Sequence, residues 1–126
     1  MVTVSDVRTF LKDLPEEIVS DATIQEQINV ATHLVENEKS AYASDQAVEY
    51  AILLSAAHLT AIAYASELER SLGVIPPQLN TLVNALEEMK EKALEIVRRG
   101  LPADPRLVAT TSDSAFEAVR QLWSTG

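Results

Sequence analysis

From Tyr50 to Ser66 the chain carries no charged side chain. The run lies inside residues 46–73, QAVEYAILLSAAHLTAIAYASELERSLG, which hold no proline and close on Gly73. A bilayer-spanning helix needs about 20 predominantly apolar residues. This run is shorter and includes Ala, Ser, Thr, Tyr and His, so it reads as a buried core helix. A cap at Ser44 or Asp45 and a stop at Gly73 predict a rod about 40 Å long at 1.5 Å per residue. Ala47, Ala51 and Ser55 fall on one ridge and Ala57, Ala61 and Ala65 on another, so neighbours can approach closely on more than one side. A helix apolar all round has to be surrounded. The expectation is a rod wrapped by protein over residues 50–66, with some apolar face left over for a neighbouring chain.

The flanking segments read as the cover. Residues 5–14 predict a short helix capped by Thr3 or Ser5, with Val7, Phe10, Leu11 and Leu14 on one stripe and Pro15 as its stop. Thr23 and Glu26 have capping-box spacing. Ile24, Ile28, Ala31, Leu34 and Val35 then recur at three and four residues down to Lys39. After VIPPQ, with Pro77 suited to a first helical position, the inner stripe of a fourth helix is Leu79, Leu82, Val83, Leu86, Met89, Ala93, Ile96 and Val97. Glu88 with Lys92 and Glu95 with Arg99 form outward pairs, and Gly100 followed by Pro102 ends it. The fold class is all-α: four main helices bundled around a long Ala-rich central helix, in a domain of residues 1–101. Residues 102–126 read as an extended C-terminal tail carrying a short fifth helix, SAFEAVRQLW. Phe116, Val119, Leu122 and Trp123 share one face of it, a concentration of anchors in a chain with three tyrosines, two phenylalanines and one tryptophan.

The 126 residues carry a formal charge of −9. Residues 1–69 hold 12 acids against 3 bases and residues 70–126 hold 7 of each, so the excess lies wholly in the first half. That balance argues against broad neutralisation of nucleic-acid phosphates. Without cysteine, disulfides and thiolate metal sites are ruled out. The first residues, MVTVSDVRTF, lack the basic and apolar sections of a signal peptide.

Catalytic options are narrow. His33 has Glu36 and Asn37 three and four residues on, where a metal pair is geometrically possible, and it reads as a surface or interface histidine. His58, inside the apolar run, reads as a neutral ring hydrogen-bonded to a neighbour. The Glu-x-x-His pattern of di-iron bundles would need Glu at 30 or 55, which are Val30 and Ser55. Gly73, Gly100 and Gly126 form no phosphate-cradling loop, and no serine sits in a nucleophile elbow. The expectation is a protein with no enzymatic activity and no cofactor or metal.

The opening VTVSDVRTFLKDLPEE, the acidic capped SDATIQEQINVATHLVENE and the alanine-rich AVEYAILLSAAHLTAIAYASE, in that order, resemble the small all-helical head-tail connector proteins of tailed bacteriophages, also called head completion or adaptor proteins. The resemblance covers residues 2–100. It implies a homo-oligomeric ring of about twelve subunits, made in the host cytoplasm and placed in the virion neck. The ring docks on the portal protein and a tail or tail-completion protein, without a membrane, and passes double-stranded DNA without binding it specifically. By the same resemblance the tail is the docking segment, with Arg106, Phe116, Val119, Arg120, Leu122 and Trp123 as its contacts. An acidic half facing the lumen would repel phosphates and let DNA slide; the same acids could equally do no more than solvate outer faces. A different class also fits the composition: a small acidic helical module, regulatory or antitoxin-like, that masks a basic partner.

Overall fold

The computed structural model of the chain describes residues 2–12 and 14–100. Among them four helices follow in order, α1 (Val4–Phe10), α2 (Asp21–Glu38), α3 (Asp45–Leu72) and α4 (Pro77–Arg99), and no strand. The class is all-α. The tail and its fifth helix lie outside the described residues.

Capping chemistry explains where each helix begins and ends. Ser44 accepts the Ala47 amide at 3.1 Å to start α3, and Gly73 at φ 80° closes it with its N–H on the Glu69 carbonyl. Pro77 opens α4 in the position where its missing N–H costs nothing, and Gly100 at φ 66° ends it. The expected start of α2 is corrected. Ser20 is its cap, accepting the Thr23 amide at 3.3 Å, and the Thr23 hydroxyl is spent on Ser20 at 3.0 Å. The earlier cap adds most of a turn and places Asp21 at the positive end of the helix dipole.

Helix α1 is also shorter than its apolar spacing suggests. Thr3 and Asp6 make a reciprocal capping box, which settles the choice between Thr3 and Ser5. The helix ends at Phe10 because Lys12 takes a left-handed conformation, φ 59°, that non-glycine residues seldom adopt. Leu11 and Leu14 therefore reach the core from a turn.

The core is built on α3, which packs chiefly against α4 and α2. Ile24, Ile28, Ala31 and Val35 come from α2, and Leu79, Leu82, Leu86, Met89, Ala93 and Val97 from α4, closing on Ala51, Leu54, Ala57 and Ala61 of α3. Alanines at the seam let leucine and methionine fill the space between helices. Val83 and Ile96, expected inside, are half-buried, whereas Leu94, absent from the expected stripe, is buried.

One expectation fails. Leu34 is 39% exposed; it lies about a quarter-turn off the row of Ile24, Ile28, Ala31 and Val35. The rod is covered over most of residues 50–66 and keeps some apolar face outward, as expected: Ile62 is 37% exposed, Ser66 is exposed, and Leu53 and Leu59 are half-buried. Three neighbouring helices leave part of its circumference open. The 18 residues of α2 span about 27 Å beside about 42 Å for the 28 of α3.

Candidate docking surface

Arg8 locks α1 to α2. Its guanidinium donates to the Leu14 carbonyl at 3.0 Å, the Val19 carbonyl at 2.8 Å and Asp21 Oδ1 at 2.6 and 3.1 Å. A single planar fork thus satisfies both ends of the irregular connector and joins it to the first turn of α2. Sequence reasoning missed this role, since the partners are 6, 11 and 13 residues away and two are backbone carbonyls.

At the other end of the bundle α2 is tied to α4. Arg98 Nη2 donates to both Glu38 oxygens at 3.0 Å, and the Ser40 amide donates to the Val97 carbonyl at 2.9 Å. Gly100 passes so close that a Cβ there would stand 2.9 Å from Tyr42 Cβ. Apart from this end the two helices have little contact with each other, each lying on α3.

A valley results. Leu34 is one turn before Glu38 and Val30 one turn before Leu34, so both lie on the flank of α2 that turns toward α4. They are 39% and 47% exposed. Thr23, Gln27, Val30, Leu34 and Asn37 recur at four and three residues along this flank, an uncharged seam of the kind a partner helix packs on. A surface cleft of about 590 Å³ is lined wholly by α4 residues, Glu87, Glu88, Glu91, Lys92, Glu95 and Arg98 with Asn84. A second apolar feature is the tip of the α3–α4 hairpin, where Leu72 and Val74 are each 65% exposed.

His58 is buried as expected, but the expected hydrogen bond is not made: Nδ1 has no partner, and neither do the buried hydroxyls of Ser55 and Thr60. The small residues that let α4 approach leave no acceptor or donor within reach. Burial, followed by the nearby Lys90 charge, holds the imidazole below its usual pKa of 6.5, against a smaller opposing pull from Glu87 and Glu91. It is a buried histidine kept toward its neutral form, and among the described residues its Nδ1 has no hydrogen-bond partner. His33 is exposed, and among the described residues no group of three His, Asp or Glu side chains is placed to hold a metal ion.

Every described carboxylate of residues 1–69 is exposed, so the acidic excess lies entirely on the surface. On length and hydropathy α3 could cross a membrane, but it is the core helix, with 56% of its most apolar window buried. The expected docking residues Arg106, Phe116, Val119, Arg120, Leu122 and Trp123 lie outside the described residues. These features define a class: a small all-α bundle with Val30, Leu34, Ile62, Leu72 and Val74 left exposed. Comparison with family models, curated proteins and solved structures finds no match.

Proposed function

We propose that this chain is a structural virion assembly protein of a tailed bacteriophage, a connector subunit that forms a ring between portal and tail and lets DNA pass through its centre. The carrying observation is a core rod only partly sheathed, with apolar side chains left outward at Val30, Leu34, Ile62, Leu72 and Val74. Scattered exposed hydrophobics are ordinary; two on one flank of α2, one on the side of the rod and two at the α3–α4 tip of a chain this small are what assembly with other subunits would use. The order of the sequence segments over residues 2–100, which resembles that of the head-tail connector family, supports the same reading.

In this reading the neck of the virion is the location and the ring partners are identical copies, the portal protein, and a tail or tail-completion protein. The tail residues Phe116, Val119, Leu122 and Trp123 anchor on the portal, with Arg106 and Arg120 as polar partners. A ring multiplies the −9 of each subunit, so an acidic lumen would keep DNA from adhering. The test is electron microscopy of the purified full chain, alone and mixed with the portal protein encoded by the same genome. Rings, or portal particles bearing an added collar, are the expected result; a chain that stays monomeric and leaves the portal bare refutes the proposal.

The exposed acids of residues 1–69 favour a second reading, the acidic module that masks a basic partner. Stoichiometric capture of a basic protein by the monomer, weakening steeply with salt, together with bare portals would select it.

A further inference from the structure

The α2 flank beside α4 leaves Val30 and Leu34 uncovered, and the chain itself supplies a segment that matches it. We infer that residues 114–123 dock, in the free protein, along the Val30–Leu34 flank of α2 in their own chain. This concerns the unassembled chain and stands apart from the connector reading.

Three observations carry it. The first is where the described chain ends. Gly100 packs against Tyr42 and Ser40, directly beside the Glu38–Arg98 pair that closes the valley, and Leu34 is one turn of α2 away. The second is length. Residues 101–113 can span up to about 43 Å when extended, and α2 is only about 27 Å long, so the tether reaches any point on the flank. A tether this short holds the segment at an effective concentration on the order of millimolar, which a separate partner must exceed.

The third is complementarity. The α2 seam places uncharged residues at four and three, with Val30 and Leu34 in its middle. Phe116, Val119 and Trp123 repeat at three and four, the spacing by which one helix packs on another. Residues 114–123 carry one acid, Glu117, and one base, Arg120, so the segment brings no net charge to the flank and its match there is apolar. A second copy's α2 is a poorer occupant, since antiparallel pairing about this seam sets Glu26 of each copy near Glu38 of the other. Docking in cis would shield the aromatic anchors until assembly offers a competing surface.

Trp123 is the chain's single tryptophan, and no cysteine is present, so fluorescence and site-specific labelling report on the contact directly. In the dilute full-length monomer, Trp123 emission should be blue-shifted and shielded from acrylamide. Val30→Glu or Leu34→Glu, both at exposed positions, should move it to the emission of a solvated indole with helicity unchanged. Gln25→Glu, on the other flank, should not. A nitroxide on Leu34→Cys should quench Trp123 and one on Gln25→Cys should leave it bright. The inference is overturned by a solvated Trp123 in the unmodified monomer, by shielding that survives both α2 substitutions, or by shielding that appears only as the chain self-associates on concentration.

Discussion

Arg8→Ala isolates the connector between α1 and α2. The Arg8 side chain is 16% exposed and its Asp21 partner 62% exposed, so the contacts divide into two kinds. The ion pair is close to solvent and contributes at most about 1 kcal/mol. The bonds to the Leu14 and Val19 carbonyls are part-buried and charge-assisted, and removing the donor strands two acceptors under Leu14 and Val19, which are both buried. Hydrogen bonds to charged groups are worth about 1.5–3 kcal/mol each; allowing for partial rehydration, Arg8→Ala should cost about 2–4 kcal/mol. Asp21→Ala, which leaves the carbonyl bonds intact, should cost no more than about 1 kcal/mol. Arg8→Lys should fall between, because an ammonium cannot span three acceptors as a planar fork does. Urea unfolding followed by circular dichroism measures all three at constant m-value. Equal losses in Arg8→Ala and Asp21→Ala would refute the reasoning, since they would mean the surface ion pair and not the carbonyl clamp holds the connector.

Ala57 is fully buried at the α3 seam, so Ala57→Leu should overpack it and cost about 1–3 kcal/mol in the same unfolding assay. Gly73 and Gly100 both have positive φ, but only at Gly100 would a Cβ meet other atoms. Gly73→Ala should therefore lose about 1 kcal/mol and Gly100→Ala measurably more, read as a larger fall in melting temperature. His58 is held below its unfolded pKa of 6.5 by burial first and Lys90 second. The fold prefers the neutral ring, so its stabilisation is complete above pH 6.5 and drains as pH falls from there toward the folded value. Between pH 7.5 and 5.5 the native chain should lose more stability than His58→Gln; parallel curves would show that the ring is not buried neutral. Amide exchange should be slowest over residues 47–61 and faster from Ile62 to Leu72, and uniform protection would contradict the partial sheath.

Much of this fold was legible because its signals are local. Ser44, Pro77, Gly73 and Gly100 act within one turn of themselves, and all four mark the helix ends that their chemistry implies. The inner stripes of α2 and α4 follow from period alone. What was not legible depends on chain segments meeting at a distance. The Arg8 clamp requires knowing that residues 14–21 fold back over α1. Ser20 and Thr23 are both sound caps, and the tie is broken when Asp21 meets Arg8. Leu34 looked like core because its spacing from Ala31 and Val35 is helical, yet a stripe only as wide as one neighbour leaves it outside. The missing His58 hydrogen bond belongs to the same group, since which atoms line a buried ring is decided by the opposite helix.

The partial sheath follows from arithmetic that the sequence contains and a helical wheel does not show. A rod of 28 residues cannot be enclosed by helices of 7, 18 and 23. Since α2 begins at Asp21, its cover gives out before the rod does; residues 16–20 and Thr23 still lie beside Ala63, Tyr64 and Glu67, so it is the end of α3 toward Leu72 that runs past the sheath. Only that end is a two-helix arm, begun by the buried Leu79 and tipped by the exposed Leu72 and Val74. Two helices alone bury only one stripe of each, so the arm keeps apolar surface outward whatever its exact side chains. Shortening α3 would remove that surface at little expense to the core around Leu54 and Ala57. That the chain instead extends the rod beyond its own cover is the strongest physical reason to look for what it touches among other molecules.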